Sequence, residues 1–289
     1  MSQVGKEVMI LVTGATGTIG REVIRRLPSD LAVRLMAREP ARVTGAAGTA
    51  EVVYGDYGDS RSLGRALRGV GSVFLVTNRV GEDDGHILRA ARAAGVRRVV
   101  KLSAAAVADA GADDAITRWQ RVNEDLLRGS GLEWTLLRPR SFMSNTLSWA
   151  ASVRTDGVVR ALYGASANSC VDPRDVAEVA VRALTEDGHA ARTYVLTGPE
   201  AITAVEQTLQ LAELLDRPLR YEELEVEKAR AALLRRHPEE LVEALLAGAE
   251  RQREGAKAAV ENTVPELLGR PAGTFRAWAS DHLGSFAPE

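Results

Sequence analysis

The sequence predicts an α/β protein built on a doubly wound parallel sheet, with a small mixed carboxyl-terminal portion. Three observations carry that prediction. Short apolar strand runs alternate with helical periodicity through the first two thirds of the chain. A glycine-rich turn joins the first strand to the first helix. The last third changes character, and Glu225–Glu254 is helical patterning rich in Ala, Leu, Arg and Glu. The expected division is therefore a nucleotide-binding domain over residues 1–145 and a smaller, mostly helical substrate or cap portion over 146–289. Strand and helix segments around 171–198 return to the main domain.

The elements follow in order. Val8–Val12 is a buried-strand run, and Thr18–Leu27 is helical until Pro28 stops it. Ala32–Ala37 and Glu51–Tyr54 read as the second and third strands. Asp59 or Ser60 can cap a helix to Arg68, and Ser72–Thr77 is the fourth strand. The helix His86–Ala94 ends at Gly95, and "RRVVKLS" supplies the fifth strand. Trp119–Arg128 is helical, and "LEWTLLRP" is a sixth strand stopped at Pro139. Asp172-Pro173 starts another helix with an N-cap and a proline at its first position. Thr193–Gly198 is a further strand. Thr203 with Glu206 and Thr263 with Glu266 read as capping boxes. Glu225–Glu254, broken at His237-Pro238, is amphipathic helix suited to a lid over the sheet's carboxyl edge or to a homodimer surface.

Composition narrows the function classes. The 289 residues carry a net charge of −2, with basic and acidic residues interspersed. The densest basic groups, Arg97-Arg98 with Lys101 and Arg235-Arg236, are too short for a nucleic-acid surface. No apolar run approaches the ~20 residues of a spanning helix. The single cysteine, Cys170, forbids an intrachain disulfide and suits a reducing compartment, so a cytoplasmic protein is expected. His86, His189, His237 and His282 lie at no metal-ligand spacing, so no metal is expected. No Ser stands in a nucleophile elbow.

In "TGATGTIG" the glycines Gly14, Gly17 and Gly20 follow an apolar strand and open a helix, the context of a Rossmann-type pyrophosphate site. Gly14 permits the sharp turn, Gly17 lets main-chain amides approach phosphates, and Gly20 allows close helix–strand packing. The helix N-terminus then offers unpaired donors and partial positive charge to an anion. After the second strand, Arg38 stands where an NAD-preferring fold places a carboxylate, with Glu39 beside it and Arg42 nearby. A guanidinium fork suits a 2′-phosphate, so NADPH is expected over NADH. Asp56 can accept from an adenine amino group, with Tyr57 adding backbone contacts. Thr77 and Asn78 end the fourth strand near the nicotinamide half. Ser103 ends the fifth strand near the ribose.

The stretches "LVTGATGTIGREV", "VVYGDYGD", "ALRGVGSVFLVT", "AARAAGVRRVVKLSA", "GLEWTLLRPRSFMSN" and "CVDPRDVAEVAVRAL" occur in the order of one family. Together they resemble the NmrA-like branch of the atypical short-chain dehydrogenase/reductase superfamily, over nearly the whole chain. The tail "TVPELLGRPAGTFRAWASDH" is similar to its actinobacterial, quinone-reductase-like members. The resemblance implies an NAD(P)-binding Rossmann domain with a small carboxyl-terminal substrate domain. By position, Gly14, Thr16, Gly17, Thr18, Ile19, Arg38, Asp56, Tyr57, Thr77 and Ser103 match nucleotide-contacting positions. Phe142, Met143 and Asn145 match the segment that turns toward substrate and can line an apolar pocket.

One departure governs the chemistry. Active short-chain dehydrogenases carry Tyr-x-x-x-Lys on the helix before the sixth strand, where the lysine lowers the phenol's pKa. That helix here reads "ITRWQRVNEDLLRGSGLEW", with neither residue; of the histidine and glutamate of many relatives only Glu124 remains. The leading expectation is an NADPH-dependent reductase of a quinone or a related aromatic or enone, whose product needs little help with protonation, with tailoring of an aromatic natural product as its setting. Nucleotide-assisted coupling or isomerisation of aromatic intermediates is a variant. A proton source of another type would come from Tyr163, Lys101 or Glu124. The remaining alternative is a non-catalytic NADP(H) sensor that binds a protein partner.

Overall fold

The computed structural model describes residues 9–44, 50–77 and 80–287. Val8, placed by the sequence at the head of the first strand, lies outside them. The chain begins β1 (Met9–Val12), α1 (Thr18–Arg26), β2 (Val33–Ala37), β3 (Glu51–Tyr54), α2 (Ser60–Ala66) and β4 (Val70–Leu75). It continues α3 (Asp83–Ala93), β5 (Arg98–Leu102), α4 (Ala115–Arg128) and β6 (Glu133–Pro139). There follow α5 (Ala150–Asp156), β7 (Val158–Ala161), α6 (Pro173–Thr185), β8 (Arg192–Leu196), α7 (Ala204–Leu214) and β9 (Arg220–Glu223). The chain closes with α8 (Val226–Leu234), α9 (Glu239–Arg253), α10 (Thr263–Leu268) and α11 (Phe275–Asp281).

Seven strands form one sheet in the order β3-β2-β1-β4-β5-β6-β8, the doubly wound arrangement expected from the sequence. The pairs β1–β2, β1–β4, β2–β3, β4–β5 and β5–β6 are all parallel. The order reverses at β1, so the turn after β1 stands at the topological switch point, where such sheets take their ligands. Asp59 caps α2 by accepting from the N–H groups of Arg61 and Ser62. Asp172 accepts from Arg174 N at 2.8 Å ahead of α6. Thr203 and Glu206 form the expected reciprocal box on α7.

The chain makes two compact units, each built from several segments. The first comprises Met1–Ala104, Trp119–Arg138 and Val176–Tyr194; the second holds the remainder. The core of the first is aliphatic, with Leu11, Leu63, Leu67, Leu75, Ile87 and Leu127 almost wholly buried. Two strand arginines are buried in it because each ends a helix. Arg34 donates to the carbonyls of Ala66 and Arg68 at 2.8 and 2.7 Å past α2. Arg98 donates to those of Ala183, Leu184 and Glu186 at the close of α6. Both satisfy carbonyls that a helix end leaves unpaired.

In the second unit an aromatic core gathers Phe275, Trp278 and Phe286 with Met143, Val153, Val159 and Cys170. Its parallel ribbon β7–β9 was not anticipated, since its strands are four residues long and half polar. The second capping box does not form. Thr263 is already inside α10, Asn262 precedes the helix without a side-chain cap, and its amide instead donates to Glu266 at 3.2 Å.

Candidate functional site

The glycine turn is built as a cradle. The Thr13 hydroxyl donates to Phe74 O at 3.0 Å and accepts from Val76 N at 2.8 Å, tying the end of β1 to that of β4. The chain then reverses at Gly14, whose φ of 62° is left-handed and whose added Cβ would stand 3.0 Å from Val76 Cβ. Gly17 N closes onto Gly14 O at 2.9 Å, and α1 starts at Thr18 with no side-chain cap and no acidic residue in its first turn. The amides of Thr18 and Ile19 therefore face outward as unpaired donors with the positive end of the helix dipole behind them. At Gly20 a Cβ would lie 2.1 Å from Gly14 O, so only glycine allows α1 to pack against the turn. A cavity of about 250 Å³ opens here, bounded by Gly14, Thr16 and Gly17 on one side and by Arg38, Arg42 and Tyr57 on the other. Donor set, dipole and absent side chains fit a dinucleotide pyrophosphate.

At the cavity's far side Glu39 is held by Arg42 at 3.2 Å. Arg38 is exposed and makes no ion pair among the described residues. Tyr57 donates its hydroxyl to Val76 O at 2.8 Å, and burial pushes its pKa well above the ordinary phenol value, so it stays neutral. Asp56 spends one oxygen on Gly58 N at 2.8 Å, which fixes the turn after β3. Asn78 lies outside the described residues.

Two hydroxyls expected at the nucleotide are engaged elsewhere. Thr77 donates to Asp84 at 2.5 Å, and the other oxygen of that carboxylate pairs with Lys101 at 2.5 Å. Both charged side chains are fully buried. The ring of Trp119 stands 5.9 Å from the Lys101 ammonium and donates its indole N–H to Gly81 O at 3.1 Å. Ser103 donates to Glu124 at 2.6 Å. Arg138 grips the same carboxylate with two bonds, of 2.9 and 2.5 Å, and Arg128 adds a third at 2.8 Å. Burial alone would raise the Glu124 pKa; the bonds from Arg138 and Ser103 and the two guanidinium charges outweigh it and hold the carboxyl below its usual range. Lys101 with Asp84, and Ser103 and Arg138 with Glu124, are joined only by the fold, so sequence reading missed these partners.

The second unit carries an open, largely apolar cavity of about 530 Å³. Phe142, Asn145 and Trp149 line it, as do Leu162, Leu224, Leu233 and Leu245. Met143 is 1% exposed in the aromatic core, because Met143–Trp149 is a 3-10 helix that turns Phe142, Asn145 and Ser148, three residues apart, to the cavity and Met143 away from it. Cys170 lies in the cavity wall, where burial pushes its thiol up to about 12. Tyr163 does not line the cavity. Its φ is 55°, Arg253 sits 5.9 Å from its ring centroid, and a hydrogen bond to Glu250 raises its pKa. The unforeseen residue is Lys257, the ammonium in the cavity lining. Burial pushes it down to about 8; Arg251 and Arg140 add to the fall and Asp114 opposes it. It sits in "REGAKAA", which carries no motif.

These features define a nucleotide-binding protein of the doubly wound class. A family model described as NAD(P)H-binding matches residues 14–187, and the chain belongs to that family; its NmrA-like, atypical short-chain dehydrogenase/reductase character stands with it. The chain is 59% identical to the (4-alkanoyl-5-oxo-2,5-dihydrofuran-3-yl)methyl phosphate reductase of Streptomyces griseus, over 97% of this chain and 100% of that one. It is 37% identical to an NAD(P)H azoreductase of Xenophilus azovorans, over 96% and 99% of the two chains. An Escherichia coli NADPH-dependent quinone oxidoreductase solved with NADPH superposes with a TM-score of 0.82 at 28% identity, covering 96% of this chain and all of that one. The chain is an NAD(P)H-dependent oxidoreductase. Among the described residues no helix is long and apolar enough to cross a membrane.

Proposed function

We propose that this reductase uses NADPH to saturate the ring double bond of an acylated furanone phosphate, the substrate type of its Streptomyces griseus relative. The supporting observation is the end-to-end identity of 59% with that enzyme. Gly14, Thr16 and Gly17, with the first amides of α1, hold the pyrophosphate, and Arg38 takes the 2′-phosphate. Bound there, the dihydronicotinamide supplies a hydride.

The missing phenol fits this acceptor. In such a furanone the double bond is conjugated with two carbonyl groups at once, the ring lactone and the alkanoyl group. A hydride added to the ring carbon that bears the phosphomethyl arm sends the electron pair to the neighbouring carbon, where both carbonyls share it. That stabilised enolate takes its proton from water, so the protein need supply none. A simple ketone would instead forfeit the ~10²–10⁴-fold that a general acid contributes. Lys101 and Glu124 hold the fold by this reading, and Phe142, Asn145 and the leucine wall receive the alkanoyl chain.

The test is purified protein with NADPH and a synthetic 4-alkanoyl furanone methyl phosphate. Loss of 340 nm absorbance should accompany a product heavier by two hydrogens. No turnover of that compound, with rapid reduction of simple quinones, would return the assignment to a quinone reductase.

A further inference from the structure

We infer that Lys257 is the anchor for a phosphate monoester on the substrate, with the substrate's apolar chain lying along the leucine wall of the same cavity. The inference rests on the furanone phosphate reading for the identity of the substrate, and on the geometry of the second unit for the site.

The geometry begins with an ammonium that has no acidic partner. Lys257 makes no side-chain hydrogen bond or ion pair among the described residues. Its strongest charged neighbours, Arg251 and Arg140, are cations. The carboxylate that acts on it, Asp114, is already bonded to Arg251 at 2.8 Å, and Asp109 lies 3.7 Å from the same guanidinium. Arg140 donates one N–H to Ala256 O at 3.2 Å, and its buried Nε has no partner. A half-buried charge among like charges is costly unless an anion meets it.

The position is built into the fold. Ser169, fully buried, donates its N–H and its hydroxyl to Lys257 O at 3.0 and 3.2 Å, and its hydroxyl to Ala259 O at 2.7 Å. The backbone on either side of the lysine is thereby fixed, and only the side chain is left to move. Gly248 of α9 lies against the same pair: a Cβ built there would stand 3.8 Å from Arg251 Nη2 and 3.9 Å from Lys257 Nζ, so the two cationic heads meet over one point of the helix.

The ligand class follows from the two ends of the cavity. A phosphate monoester carries nearly two negative charges at neutral pH and suits an ammonium with a guanidinium beside it. Trp149, Leu162, Leu224, Leu233 and Leu245 offer an alkyl chain apolar contact, while Asn168, Gln207 and Gln252 in the same lining leave polar groups for the ring oxygens. A quinone has no use for the cation.

The experiment has a binding arm and a turnover arm. Calorimetry with octyl phosphate and with octanol is run on the wild-type protein, Lys257→Met and Lys257→Arg. Octyl phosphate should bind wild type ~10–100-fold tighter than Lys257→Met, as loss of a charge-assisted bond implies, with Lys257→Arg between them and octanol indifferent to the change. Equal octyl phosphate affinity in wild type and Lys257→Met, or none in wild type, overturns the anchor. In turnover, Lys257→Met should raise KM for the furanone phosphate by a like factor while leaving kcat, and leave both constants for its hydroxymethyl counterpart unchanged. Equal losses on both compounds, or a fall in kcat alone, would make Lys257 something other than an anchor. If wild type reduces neither compound, the furanone reading falls, and the octyl phosphate titration still decides the site.

Discussion

Lys101 and Lys257 are the same residue type in opposite circumstances. Lys101 is fully buried, and its ammonium meets Asp84 at 2.5 Å. Lys257 is half-buried beside two guanidinium groups. The contrast extends to the arginines. Arg34 and Arg98 are buried against helix-end carbonyls. Arg38 stands exposed at the rim of the nucleotide cavity without an ion pair among the described residues. Cations that meet a partner inside the chain hold the fold; those that do not are left for a ligand.

The sharpest way to break this comparison is to remove the paired lysine. Lys101→Met leaves Asp84 buried and uncompensated and should cost ~3–5 kcal/mol of stability, read by chemical denaturation. A loss below ~1 kcal/mol would mean that the pair is not structural. Next comes Arg38→Ala, expected to weaken NADPH by ~10–100-fold and NADH by much less, as for one charge-assisted phosphate fork. Calorimetry with both nucleotides decides it, and equal losses refute the assignment to the 2′-phosphate.

A third effect is the pH dependence of the anchor. Lys257 must be protonated to bind an anion, and its pKa lies near about 8. Arg140, Arg251 and Asp114 face it; Asp109 acts on Arg251, and Glu261 on Arg140. KM for the phosphorylated substrate should climb as pH rises past that value, while the hydroxymethyl counterpart stays flat. The smallest effect is on stability. Below pH 8 folded Lys257 is protonated in an unfavourable site, so Lys257→Met should gain ~1 kcal/mol there. Between pH 8 and the ordinary lysine range the unfolded chain binds the extra proton, so wild-type stability from this group rises with pH and the variant's advantage fades. A lysine removal that destabilises at pH 7 would contradict the burial argument.

What the sequence made legible follows the same division. The doubly wound class and the glycine turn could be read directly, because alternating strands and helices set the first and Gly14, Gly17 and Gly20 encode backbone geometry at fixed spacing. The place of Arg38 at the end of β2, beside the glycine turn, could be read for the same reason. Thr77 and Ser103 were assigned to the nucleotide on position alone, since nothing local to "FLVT" or "KLSA" announces Asp84 or Glu124 as their partners. Met143 turns into the core because it opens a 3-10 helix that nothing in "SFMSN" announces. Lys257 had no signal, because its meaning comes from Arg140, Arg251 and Ser169, which reach it only in the folded second unit.

Cys170 offers a way to watch that unit without altering it. As the chain's single cysteine, held protonated and 5% exposed in the cavity wall, it is inert to alkylating reagents until the surrounding side chains part. Its modification rate, followed by mass, is thus a built-in clock for local opening around this thiol, and a molecule seated against Cys170 will slow it.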